Sequence, residues 1–546
     1  MDLKIERIDH LGVIAGVMKD VKLAEKIDAV LEPDKQTTVT YGEAVVGMVL
    51  NGLGFANRVI SLMTQFFEQK PLDLLIRPGI KKDELNRHKL GRTLDAIHKY
   101  GCEKLFNEIA LNICMQEEID ITKAHCDPTT FSVQGEYDDQ DESAAVKITH
   151  GYSKAKRPDL KQIILDLCVS PDGGAPFMMK TFSGNEAETN IFHERLQALK
   201  IAAAQSNSRM VMIGDSKLYT EKNIRAIEKL GFISRVPSSI NKEKFYVEKA
   251  LKLNAWTDVE AGYKYQSFDV DLFDVQQRWV VFYSQKAYDR SKKTLDATIK
   301  KQTKLLEKEI AFLQRQDYAC VKDAEKALHA TMKKYKYYQV TNYEILSTER
   351  YATAGRQKTD AIKIVAGYKI TINFEINQNL IEAELQHRAC FILATNLLPT
   401  ELLSPDILPE YKKQDYVEKG FAFMKTPSFF AESFFLKSTF RIQALIVIMV
   451  LALLIYTVAQ RRLRKALALK NETIPNQIKK PTARPTLRWI FQLLEGIDRV
   501  TNRAVPGLVE KTFYGITDLR RKILSCFGEC VMQIYGLNFD AAYDGS

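Results

Sequence analysis

Three acidic residues lie far apart in this 546-residue chain at places where folding could gather carboxylates: Asp127, Asp215 and Glu418. Asp127 closes a run in which Ile119, Ile121, Lys123 and His125 alternate with Asp120, Thr122, Ala124 and Cys126, and Pro128 follows it. That pattern reads as a strand with a break at its end. Asp215 follows the short apolar run RMVMIG (209–214), a second strand. Phosphodiester transfer needs an activated oxygen nucleophile and a stabilised leaving oxygen, and two divalent cations ~3.5–4 Å apart supply both. Such ions prefer carboxylate oxygen, so the expected cofactor is Mg2+, two ions per site, with Mn2+ as its substitute. A strand-end Asp is also a common turn former; the chemistry rests on the three acids together.

Glu418 sits in YKKQDYVEKGFAFMK (411–425), where Tyr411, Gln414, Glu418 and Lys425 recur at helical spacing. On one helix Tyr411, Glu418 and Lys425 would share a face over roughly 21 Å, with Gln414 beside them. Such a face could aim one carboxylate at the metals and set a cation and two hydrogen-bonding groups along a DNA backbone. Lys154, Lys156, Arg157 and Lys161, between the first two strands, read either as phosphate contacts or as an ordinary basic loop. His125 and His150 read as structural, because two-metal chemistry needs no imidazole base. The acidic run Asp138, Asp139, Asp141 and Glu142 reads as a solvated loop.

The elements that must position these residues follow from periodicity. QIILDLCVS (162–170) and APFMMKTFS (175–183) are strand candidates joined by the turn PDGG. A helix over about 187–205, the strand before Asp215, a helix from Thr220 to Gly231 and the strand FISRV (232–236) complete the unit. About 150 residues then intervene as an inserted module. It holds strand patterns at 268–284 and 361–374 and a basic helix over 286–315, with nine Lys or Arg against four acids and Leu295, Ile299, Leu306, Ile310 and Leu313 at helical spacing. The charge of that helix reads as a solvated face, with a dedicated phosphate track as the alternative. CFILATNL (390–397) reads as a strand rejoining the main sheet.

Composition bounds the rest. A chain that is 46% hydrophobic and 27% charged builds cores and is not disordered. The excess of 78 Lys and Arg over 68 Asp and Glu, net +10, favours a polyanionic partner. Eight scattered cysteines without a CxxC pair read as mostly buried apolar thiols in a reducing interior. The apolar run 444–459, flanked by Arg441 and by Arg461, Arg462 and Arg464, is 16 residues, short of the ~20 of a membrane span, and reads as a buried core helix.

With these residues in place, the chain resembles the insertion-sequence DDE transposases, in the branch whose third acid lies in a Tyr-x2-Arg-x3-Glu-x6-Lys signature. Tyr411, Glu418 and Lys425 match it, and Gln414 stands where the signature has Arg. The resemblance extends over HGYSKAKRPDLKQ (150–162), GDSKLYTEKN (214–223) and the long insertion, about residues 117–470. It implies an α/β fold: an RNase H-like mixed sheet split by a β-rich and helical insertion, with a helical N-terminal domain. The expected boundaries are a helical DNA-binding domain over 1–116, the first half of the core over 117–240, the insertion over 241–387, the second half of the core over 388–470 and a helical tail over 471–546. It further implies a cytoplasmic transposase, oligomeric on DNA and free of membrane, that cleaves the terminal inverted repeats of its element and joins them to target DNA. Asp127, Asp215 and Glu418 would hold the metal, and Tyr411, Gln414, Lys425, Lys154, Arg157 and Lys161 would contact DNA. A nuclease of the same fold without strand transfer, and an inactive DNA-binding relative for which Gln414 is the hint, are the alternatives.

Overall fold

The computed structural model describes the chain apart from residues 1–2, 33–37, 56–58, 138–144, 155, 207–208, 228, 260–261, 352–361, 427–435, 437, 506–507 and 539–546. The acidic run Asp138, Asp139, Asp141 and Glu142 therefore lies outside the described residues. Two compact units emerge, one of Met1–Ser234, Phe273–Val275 and Thr395–Ser546, the other of Arg235–Leu272 and Gln276–Ala394.

The larger unit opens with strand β1 (Leu3–Arg7) and helices α1 (Leu11–Asp20), α2 (Tyr41–Leu53), α3 (Arg87–Tyr100) and α4 (Cys102–Gln116). Local signals set their ends. Thr40 and Glu43 form a capping box at the start of α2. Asn86 caps α3, and Gly101, at φ +107°, ends it in a conformation that glycine adopts freely. The sheet follows: β2 (Lys123–Val133), β3 (Lys161–Val169), β4 (Pro176–Ser183), helix α5 (Glu188–Ser206), β5 (Val211–Gly214), helix α6 (Glu221–Arg225) and β6 (Gly231–Arg235). Its order is β4-β3-β2-β5-β6. β2 pairs antiparallel with β3, as does β3 with β4, whereas β2–β5 and β5–β6 are parallel.

After the second unit the chain returns as α7 (Ser404–Lys412), α8 (Asp415–Met424), α9 (Thr439–Leu469), strands β7 (Asp498–Val505) and β8 (Leu508–Tyr514), and α10 (Glu529–Ile534). Helix α9 is long and apolar enough to cross a membrane, but 94% of its most apolar window is buried inside the unit. It packs against α1, α2, α3, α4 and β4. Its basic flanks are ion-paired there: Arg441 grips Asp95 through two bonds of 2.8 and 2.7 Å, Arg461 meets Asp172, and Arg462 meets Asp20 at 2.6 Å and Glu117.

Two expected boundaries give way. The N-terminal helices are no separate domain, because they surround α9. The tail is not wholly helical either, because β1, β7 and β8 form an antiparallel sheet that ties the two ends together. Arg499 of β7, 4% exposed at its side chain, bonds Glu6 and, through two contacts of 2.7 Å, Asp73. Helix α1 also lies close against the C-terminal segment: a Cβ on Gly16 would stand 2.5 Å from a Val531 methyl and 2.8 Å from Val531 Cα.

In the smaller unit, strands Cys390–Thr395, Val275–Ser284, Tyr263–Leu272 and Thr257–Val259 lie side by side in that order. A ribbon of Tyr338–Tyr351 with Lys363–Ile376 pairs antiparallel. The helix Gln285–Arg315 buries Leu295, Ile299, Leu306, Ile310 and Leu313 in a core shared with Leu328, Ile370, Ile372 and Leu385.

Candidate active site at two parallel strands

In the β2–β5 pairing Lys123 stands beside Val211, Ala124 beside Met212 and His125 beside Ile213. The pairing ends there; Asp127 continues along β2 and Asp215 opens the turn after β5, and the charge of Asp215 acts on Asp127. The turn after β5 is pinned: Lys217 N–H donates to Asp215 Oδ1 at 2.8 Å, and the Ser234 hydroxyl donates to the Asp215 carbonyl at 2.7 Å. Burial pushes the Asp215 carboxyl above its ordinary range, against the pull of the Lys217 amide. Burial also raises Asp127, to about 7; Lys154 opposes the rise, and the charges of Asp215, Asp166 and Glu188 reinforce it.

Two lysines accompany this pair. Lys154 Nζ donates to the Pro128 carbonyl and ion-pairs with Glu188, each at 2.8 Å. Lys425 Nζ donates to Thr129 Oγ1 at 2.6 Å and stands 5.3 Å from the centre of the Phe131 ring. Thr129 and Phe131 follow Asp127 at alternate positions of β2, hence on its face. Burial and the nearby Lys154 lower the Lys425 ammonium to about 8, with Asp127 pulling the other way.

The anchor of the returning helices lies one turn earlier. Glu410 of α7, 7% exposed at its side chain, ion-pairs with Lys123 at 2.9 Å and Lys413 at 3.1 Å, and His125 Nε2 lies 3.4 Å away. Burial works against the Glu410 charge, but these contacts overcome it and hold the carboxyl at about 2. Helix α8 packs on β2, β3 and α9 through Val417, Gly420, Phe421 and Met424.

Several expected site residues are placed differently. Tyr411 ends up on α7 and Glu418 on α8, with a break at residues 413–414, so the single face from 411 to 425 does not form. Gln414 is buried and its Nε2 donates to the Cys126 carbonyl at 2.8 Å, so it faces the sheet and not a DNA backbone. Glu418 is exposed. Among the described residues no three His, Cys, Asp or Glu side chains are grouped to hold a metal ion. Arg157 is exposed and bonded to Asp159 through contacts of 2.8 and 2.6 Å, and Lys161 donates to the Glu136 carbonyl.

Glu188, in the first turn of α5, is the residue that sequence reading missed. Its charge acts on both Asp127 and Asp215. Its spacing carried no signal, since an acid in a first helical turn is ordinary capping chemistry. The cysteines hold a second surprise. Cys126 and Cys168 oppose each other across β2 and β3, with Cα atoms 4.4 Å apart, and are joined as a disulfide. A directly opposed non-hydrogen-bonded pair brings Cα atoms to about this distance.

The donor set suits a hard divalent cation. Two desolvated carboxylates, one within β2 and one after β5, would leave negative charge that Lys154 balances only in part.

Comparison with known proteins adds two likenesses. Residues 3–111 match a domain of unknown function, DUF4277. No curated protein matches the chain. Among solved structures, the chain is similar to one described as the cryo-EM structure of the piggyBac transposase synaptic complex with hairpin DNA, at 10% identity and a TM-score of 0.28. That likeness takes in 52% of this chain and 62% of the other.

Proposed function

We propose that this chain is a DNA transposase of the DDE kind, which cleaves the ends of an insertion sequence and joins them to target DNA by phosphoryl transfer at Asp127, Asp215 and Glu418. The observation that carries the reading is the pair of desolvated, mutually interacting aspartates, one on β2 and one just past the end of its parallel neighbour β5, with two lysines at their side. The order β4-β3-β2-β5-β6, antiparallel then parallel, supports an RNase H-like core. Divalent cations bound by these carboxylates, Mg2+ above all, would supply the Lewis acidity that makes water or a 3′-hydroxyl nucleophilic. The chain's own part is to hold the carboxylates in place, where burial makes their charge costly until a cation compensates it. Lys154 offsets their mutual repulsion, Lys425 braces the same strand face, and Glu410 locks helix α7 to β2; Glu418, exposed on the following helix, would join the aspartates on the cations. A second copy at the other DNA end completes the reading.

A second reading is hydrolysis without joining. Position 414 favours it, because Gln414 offers no cation and its amide is committed to β2. Both are tested with purified chain, Mg2+, a duplex carrying the DNA that flanks its reading frame, nicked at the end, and a supercoiled target. Joined products support transposition; cut ends without joining support the nuclease. Cleavage that persists in both Asp127→Asn and Asp215→Asn overturns either.

A further inference from the structure

The helix Gln285–Arg315 of the smaller unit carries a feature that the active-site chemistry does not use. At about 100° per residue, eight of its basic residues fall within ~55° of a single line along the helix. They are Lys286, Arg290 and Lys293 in the first turns, Lys300, Lys301, Lys304 and Lys308 in the middle, and Arg315 at the end. All eight are exposed. The buried row Leu295, Ile299, Leu306, Ile310 and Leu313 lies on the opposite side. The four acids Asp289, Asp296, Glu307 and Glu309 all fall more than ~70° from the line. Glu309 is paired with Lys334, off the helix. Among the described residues none of the eight takes part in an ion pair.

A solvated helix face usually mixes its charges, because opposite charges at i,i+4 stabilise it and like charges there repel. Here the first half of the helix does mix them, with Asp289–Lys293, Lys292–Asp296 and Asp296–Lys300 opposite at that spacing beside the like pair Lys286–Arg290, whereas Lys300, Lys304 and Lys308 stand four apart with like charge. The like charges from Lys300 to Lys308 repel one another, and a polyanion lying along them would offset that repulsion. The line is about 44 Å long at 1.5 Å per residue, longer than one ~34–36 Å turn of duplex DNA. A bilayer is the poorer occupant: the helix's apolar row is already in the core, and only Leu305 and Phe312 are exposed beside the basic line.

We propose that this face is a track for the phosphate backbone of duplex DNA, which it binds without regard to sequence. It is separate from the carboxylate site and needs no metal, so its failure and the failure of the transposase reading are distinguishable.

The test uses the full chain in EDTA and a fluorescent 45-base-pair duplex of mixed sequence, with affinity followed from 50 to 200 mM salt. Replacing Lys300, Lys301, Lys304 and Lys308 by Gln is expected to weaken binding at least tenfold at 100 mM salt. The slope of log K against log salt should fall by about 0.9 per lost phosphate contact, up to about 3.6 for four. The same four changed to Arg should keep the slope, and thermal melting should match the parent in both. A control that loses equal charge elsewhere on the unit, K244Q/K252Q/K322Q/K326Q, should change the slope by less than about 1. An unchanged slope in the Gln variant, or an equal change in the control, overturns the track. So does tighter binding of the parent to vesicles containing 30% phosphatidylserine than to the duplex, lost in the same variant, because the face would then be a membrane surface.

Discussion

Asp127→Asn should make the metal-free protein more stable while disabling it. Asp127 is raised from 3.8 to about 7 by burial and by the charges of Asp215, Asp166 and Glu188. The sign follows from proton linkage. A carboxyl whose folded-state pKa is raised holds its proton in the folded state where the unfolded chain has released it, so the cost to the fold begins near pH 4, grows with pH and is complete above about pH 7. A shift of about 3 units corresponds to about 4 kcal/mol at 1.36 kcal/mol per unit, a ceiling that water entering the site lowers. The amide of Asn has the same shape and no charge to desolvate. Thermal melts and urea midpoints in EDTA should therefore put Asp127→Asn above the parent at pH 8 by about 2–4 kcal/mol, with the difference nearly gone at pH 4. Adding Mg2+ should stabilise the parent and leave the variant unmoved. A variant that melts at or below the parent at pH 8 in EDTA, or a gap equally large at pH 4, refutes the reasoning.

Three further outcomes are expected. In Mg2+-dependent cleavage, Asp127→Asn, Asp215→Asn and Glu418→Gln should each lose more than about 100-fold, whereas Glu188→Gln should stay within about tenfold, the scale of a residue that only orients a ligand; the reverse order for the two glutamates would transfer the third position to Glu188. Glu410→Gln should destabilise by about 1–2 kcal/mol at pH 7, less than its shift alone suggests because Lys123 and Lys413 are partly in water. Its folded-state pKa is depressed, so the stabilisation is present above pH ~4.5 and fades as pH falls toward 2, and a denaturation series over that window should show the gap closing. Arg195→Leu strands the buried Asp166, whose Oδ2 accepts from Arg195 Nε at 2.6 Å, and should cost about 3–5 kcal/mol in urea unfolding; Asp166→Leu/Arg195→Leu should recover most of it, and a single-variant loss below about 1 kcal/mol would show that the pair is not isolated from water.

The parts of the fold that sequence reading recovers are those whose signal is local. The apolar run before Asp215 and the five apolar positions of helix Gln285–Arg315 each need only a few neighbours to show strand or helix, and each element forms where its period lies; the strand at Asp127 forms too, but from Lys123 and on through Pro128 to Val133, so the expected break after Asp127 is absent. The misreadings share a different cause. β7 exposes no apolar alternation, because its inward positions include Arg499 and Thr501, and only the distant Glu6 and Asp73 make a buried arginine tolerable. Gln414 fits a helical face by count, yet the helix breaks before it and a carbonyl nearly 290 residues away takes its amide. Glu188 is invisible for the same reason in reverse: nothing near it in sequence sets it apart, and only folding brings its charge onto the aspartates, beside Lys154, with which it pairs. A polar residue's role here is decided by its partner and not by its period. The long-range partners of charged and amide side chains are therefore where further site residues of this chain should be sought.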